Sequence, residues 1–138
     1  PDVISSDLHT ASVAGPVYDM PTTASKILNL GMQLPDVVRA VTLAAARTIG
    51  RDDDLGHLTP GAVADVAVFD LDEGEFTFHD THGIEETGSQ RLSTFATIRA
   101  GVVWYPEDVL AQFGGPADNI PALCLAANKV MFRPGKLI

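Results

Sequence analysis

Leu55-Gly56-His57-Leu58-Thr59-Pro60-Gly61-Ala62-Val63-Ala64-Asp65-Val66-Ala67-Val68-Phe69-Asp70 is the stretch whose character divides the chain. Residues 56–61 are punctuated by glycine and by a Pro-Gly pair, which together set a turn. Residues 64–70 predict a strand, with Val66, Val68 and Asp70 on one face and Asp65, Ala67 and Phe69 on the other. Apolar residues recur at helical spacing before this stretch and at a spacing of two after it.

Downstream, Asp72-Glu73-Gly74 predicts a hairpin turn. A strand over 75–79 follows, whose alternation puts Phe76 and Phe78 on one face. The polar, glycine-containing segment 82–90 predicts a loop. Strands over 94–100 and 102–105 meet at Gly101, where glycine tolerates a tight turn or bulge. Beyond Tyr105 a short helix is expected over 106–113, stopped by Gly114-Gly115-Pro116. Residues 120–131 are apolar enough to dock on a neighbour, and 133–138 read as a loose tail.

Upstream, the charge run Arg51-Asp52-Asp53-Asp54 is a solvated connector. A helix is expected from Pro35 to Gly50, with Val37, Val38, Val41, Ala44 and Ala45 as its apolar stripe and Asp36 near its positive end. Another is expected over 22–30, where Ala24, Ile27 and Leu28 share a face, Asp19 is the N-cap, Pro21 fits the first turn and Gly31 the C-terminal cap. Residues 10–20, with Gly15-Pro16, form a loop. Before it a short apolar strand over 3–5 runs into Ser6, Asp7 and His9, as strands of barrels and open sheets present chemistry at their C-terminal ends. Such a strand needs parallel neighbours. Together with a start at Pro1 rather than Met, this raises the expectation of a fragment, with apolar surface on Ile4, Ile27, Leu28, Val38 and Val41 left to self-association into a homo-oligomer or to partial disorder over 1–50.

A length of 138 residues suits one domain, and 46% hydrophobic with 20% charged residues is a globular composition. Eighteen acids against nine bases give a net charge of −9, and no basic run occurs, which argues against nucleic-acid binding. No apolar run approaches the roughly 20 residues of a membrane span. Cys124 is the single cysteine, so no internal disulfide can form, and a cytoplasmic setting is expected.

Three places carry candidate chemistry. Asp7 and His9 are two apart, so on an extended segment they project to the same side and can share a site. His79-Asp80-Thr81-His82 offers imidazoles and a carboxylate, both ligands of divalent ions, but lacks the four ligands of a structural zinc site, and a polar strand end is the plainer explanation. Cys124 has no basic partner nearby and reads as a core thiol. Neither a phosphate loop nor a Gly-x-Ser-x-Gly elbow occurs.

The run Val41-Thr-Leu-Ala-Ala-Ala-Arg47-Thr-Ile-Gly50, then Leu55-Gly56-x-Leu58-x-Pro60-Gly61-x-x-Ala64-Asp65, resembles the C-terminal signature of the amidohydrolase superfamily. Residues 97–104, two strands joined at Gly101, are similar to its closing strands. The opening Pro1-Asp-Val-Ile-Ser-Ser-Asp7-Leu-His9, with Gly15-Pro16 and Leu30-Gly-Met32, is similar to the amidohydrolase/deacetylase group, relatives of the dihydroorotases. The likeness covers residues 1–105.

The resemblance implies an α/β fold: the last strand and outer helices of a TIM-like barrel over 1–50, part of a small β-sandwich over 51–105, and a C-terminal appendage over 106–138. It implies hydrolysis of an amide, or an ester, in a small N-acylated substrate. Asp7 would touch the metal and take a proton from the attacking water. His9, Gly15 and Pro16 would lie on the substrate loop. The implied cofactor is a divalent metal, zinc in the first instance. The family's His-x-His pair, its mid-barrel lysine and two further histidines have no match here, so most ligands would come from elsewhere. Two alternatives stand beside this: a cyclic-amide hydrolase of dihydroorotase or hydantoinase type, and a non-catalytic β-rich fragment that pairs its strand edges with another copy.

Overall fold

A computed structural model of the protein describes residues 1–9, 12, 15–108 and 130–132. Three helices precede the sheet: α1, Met20–Asn29; α2, Leu34–Val41; and α3, Leu43–Thr48. Four strands follow: β1, Val66–His79; β2, Glu85–Arg99; β3, Val102–Trp104; and β4, Val130–Phe132. They form one sheet in the order β3-β2-β1-β4, antiparallel throughout except that β4 runs parallel to β1.

Helix α1 forms as its sequence dictates. The Asp19 carboxylate accepts the amide of Thr22 at 2.7 Å, Pro21 occupies the first turn, and Ala24 and Leu28 are buried. The expected single helix over 35–50 is instead broken at Thr42, whose backbone leaves the helical region (φ −123°, ψ −93°) and whose Oγ1 donates to the Val38 carbonyl at 2.7 Å. Gly56 explains what the break accommodates: a Cβ there would stand 2.8 Å from Leu43 Cα, so the Leu55-Gly56 turn nests against the backbone at the helix junction.

The hairpin lies eight residues later than Asp72-Glu73-Gly74 suggests. β1 runs on through Gly74, where a bulge lets the pairing pass from Glu73↔Gln90 to Phe76↔Gly88. The chain reverses at Asp80, whose Oδ1 accepts the amides of His82 and Ile84, both at 2.8 Å. The polar segment expected to be a loop is therefore strand from Glu85 onward, because its backbone finds a full-length partner in β1.

Residues 1–9 belong to none of the described helices or strands, so the strand expected over 3–5 is not formed. A ladder needs a neighbouring strand, and Ile4 instead donates its amide to the Ala40 carbonyl of α2 at 3.2 Å. Its side chain joins a core cluster of Ala24, Leu28, Val37 and Ala40 from the helices and Ala67, Phe69 and Leu92 from the sheet. Residues 106–108 begin the helical turn expected there; the rest of that helix, Cys124, and the tail lie outside the described residues. Among the described residues no helix is long and apolar enough to cross a membrane.

Two polar side chains fix α1 on the sheet. Ser25, fully buried, donates to the Pro21 carbonyl and accepts the Leu92 amide at 2.9 Å. One turn later, Asn29 accepts the amides of Ser89 and Gln90 and donates to the Gln90 carbonyl at 2.6 Å. Each of these β2 groups would otherwise be an open sheet edge. Gly88 makes room, since a Cβ there would lie 2.5 Å from Asn29 Cγ.

Candidate functional site

Asp7 lies just past the Ile4 anchor, exposed, with φ +49°. A non-glycine residue in this left-handed region costs about 1–2 kcal/mol, less for Asp and Asn because their short side chains hydrogen-bond locally. Among the described residues its carboxylate makes no hydrogen bond or ion pair, and its amide reaches Ser5 Oγ at only 3.5 Å.

His9 and Gly15 bond to Ser12, a buried residue that the sequence patterns do not single out, and Pro16 follows Gly15 in the chain. The His9 amide donates to Ser12 Oγ at 3.1 Å, the Ser12 amide donates to the His9 carbonyl at 2.9 Å, and the amides of Gly15 and Tyr18 both donate to the Ser12 carbonyl. The Gly15-Pro16 bond is cis, and the Tyr18 hydroxyl packs so closely on Gly15 that a Cβ would stand 2.9 Å from it. The described part of the loop thus folds back on Ser12. It is tied outward by Lys26 of α1, whose Nζ donates to the Pro16 carbonyl at 2.7 Å and to the His79 carbonyl at 2.6 Å. Burial pushes the Lys26 ammonium below the usual lysine range, partly offset by the nearby Asp80 carboxylate.

Of the other sequence candidates, His79, His57 and Asp80 are engaged in local structure. His79 Nε2 pairs with Glu85 Oε1 at 3.1 Å across the hairpin, His57 Nε2 meets the Asp52 carbonyl at 3.0 Å, and Asp80 closes the turn. The Ile84 amide first, then that of His82, holds the Asp80 carboxyl below the usual carboxylate range. Asp65, within the signature stretch, is buried and binds Arg99 Nη1 and the Ala100 amide, so it fastens the β2–β3 turn.

A divalent metal can be tested against these donors. Among the described residues no three His, Cys, Asp or Glu side chains gather to hold one. The described residues therefore do not by themselves fit a metal centre. A separate cleft of about 350 Å³ opens between α1 and the hairpin end, lined by Lys26, Asn29, Leu30, Phe78, Ile84 and Thr87. Among the described residues, Asp7, Gly15 and Pro16 are not part of its lining.

Sequence comparison places this geometry among known proteins. The chain is 41% identical over 83 residues to a deacetylase of Agrobacterium fabrum, covering 60% of this chain and 20% of that protein. It is 29% identical over 102 residues to a deacetylase of Enterococcus faecalis, covering 73% of this chain and 27% of that one. Among solved structures it resembles a dihydroorotase (TM-score 0.68, 32% identity, 76% of this chain, 28% of that chain) and an adenine deaminase (TM-score 0.68, 28% identity, 75% of this chain, 28% of that chain). The matched region spans between a fifth and just over a quarter of each relative's length. Residues 2–103 match the amidohydrolase family, and the chain belongs to it.

Proposed function

We propose that this chain forms the C-terminal portion of a metal-dependent amidohydrolase that cleaves an amide, or an ester, in a small N-acylated substrate, with Asp7 as the proton acceptor. One observation supports this above the rest: Asp7 is an exposed carboxylate in a left-handed backbone position, unpaired among the described residues, inside the family-matched region. Strained positions of this kind concentrate at functional sites. In the proposed reaction Asp7 accepts a proton from the attacking water and returns it to the leaving amine, which a carboxylate reached by both groups can do. His9, Gly15 and Pro16 face the substrate. A divalent metal, zinc by proposal, would be held in part by Asp7, with its other donors outside the described residues, and would supply an acidified water for the attack.

The proposed division places 1–50 with a barrel, 51–105 with a sandwich and 106–138 as an appendage. Apolar residues on both faces of the sheet favour a second layer over it: Ala67 and Phe69 point to the helices, while Val66, Val68, Ala96 and Ile98 line the other face. The lone Cys124 supports a cytoplasmic setting, and exposed Val102 and Val103 on the edge strand support self-association.

The similarity to a dihydroorotase favours a second substrate class, cyclic amides. Assaying the protein as encoded, with its metal, on N-acetyl amino acids, simple esters and cyclic amides separates the classes. Asp7→Asn is expected to lower kcat by about 10²–10⁴-fold. Full turnover by Asp7→Asn would remove Asp7 from the mechanism, and inertness of the wild type toward every substrate would remove the hydrolase assignment.

A further inference from the structure

We infer that Lys26 is a positioning residue that sets the place of the Gly15-Pro16 loop by clamping it to the end of β1. The inference deepens the proposed function and rests on its assignment of that loop to substrate.

Lysine ordinarily extends its ammonium to solvent. Here the ammonium is drawn over two backbone carbonyls that are far apart in sequence, Pro16 at 2.7 Å and His79 at 2.6 Å. Partial burial makes this placement costly for the charged form, and the two carbonyl acceptors offset the cost. The anchor behind Lys26 is rigid. Its neighbour Ser25 and the next-turn residue Asn29 hold α1 to the β2 backbone at Leu92, Ser89 and Gln90. Among the described residues the hydrogen bonds of Ser12 run to His9, Gly15 and Tyr18 rather than to the sheet, while Asp19 joins the far end of the loop to α1. Lys26 supplies a direct tie from the loop to the sheet, steadying both its place and the hydrogen bonds that close it on Ser12, and the position of a substrate-bearing loop enters binding directly.

The test is amide hydrogen exchange on the wild type, Lys26→Met and Lys26→Arg, followed by kinetics on the substrate the assay above identifies. In Lys26→Met the Gly15 and Tyr18 amides are expected to exchange about tenfold faster, as loss of charge-assisted hydrogen bonds predicts. The Leu92 and Gln90 amides should stay within about twofold, and Lys26→Arg, with donors enough for both carbonyls, should restore most of the loop's protection. KM should rise by about tenfold while kcat changes by less than about threefold. Unchanged exchange at Gly15 and Tyr18 would overturn the inference, and so would an equal rise at Leu92 and Gln90, which would make Lys26 a general stabiliser of the fold. Faster loop exchange with an unchanged KM would uphold the clamp and reject the loop as a substrate element. Should the wild type hydrolyse nothing, the exchange measurements decide the clamp alone.

Discussion

Asp65 and Asp7 are both aspartates of the family-matched region, and they live under opposite conditions. Asp65 is 2% exposed, held by the Arg99 guanidinium and the Ala100 amide, and it fixes the turn that returns β2 into β3. Asp7 is exposed, in a left-handed backbone position, with its carboxylate unpaired among the described residues. The contrast extends to their surroundings. Around Asp65 and α1 the polar groups are fastened to backbone; around Asp7 and Gly15 the chain is fastened chiefly to itself. The more recognisable motif thus belongs to the framework, and the acid proposed for chemistry sits where little else constrains it. A carboxylate already committed to a guanidinium and an amide has few lone pairs left for a substrate, whereas an uncommitted one is available for proton transfer.

The comparison can be broken at either end. The largest effect is expected in the core that carries the framework: Phe69→Ala should cost about 3–5 kcal/mol, read from the midpoint of urea unfolding. A cost below about 1 kcal/mol would mean that the helices and sheet do not share one core. Asp65→Ala should come next, at about 2–3 kcal/mol, because it removes two charge-assisted hydrogen bonds while the half-exposed Arg99 regains water. A neutral result would place Asp65 on the same footing as Asp7.

A smaller, local effect is expected at the hairpin. The Ile84 and His82 amides hold the folded Asp80 carboxyl below its ordinary value of 3.8, so its contribution is present above that value and is lost as pH falls through the depressed one. The amide shifts of Ile84 and His82 should titrate together below pH 3.8 and remain flat in Asp80→Asn; titration above the ordinary value would reverse the sign. The smallest effect is expected at Asp7, where replacement by Ala should change stability by no more than about 0.5 kcal/mol while turnover collapses. A stability loss as large as that of Asp65→Ala would end the distinction between the two aspartates.

Much of the framework is legible in residue order. Helix α1 follows from Asp19, Pro21 and the spacing of Ala24 and Leu28, since caps and periodicity act within one turn. The strand after Pro60-Gly61 follows from its alternation. The hairpin is not legible, because Asp72-Glu73-Gly74 and Asp80-Thr81-His82-Gly83 are both competent turns, and the pairing of Glu85–Arg99 with Val66–His79 decides between them. Ser25 and Asn29 leave a faint signal, two polar residues one turn apart beside an apolar stripe. Nothing in sequence says that their partners are backbone groups more than 60 residues away.

The leading residues show the same division. By itself the sequence determined family membership, the helical and strand halves of the chain, and Asp7 as the acid to consider, because these rest on local spacing and motif. Only the tertiary structure decided that residues 3–5 pair with no described strand, that Asp65 is a structural tie, and that Lys26 clamps Pro16 to His79. Those outcomes depend on which groups meet across the fold, and a hydrogen bond between distant residues has no signature in the order of the chain.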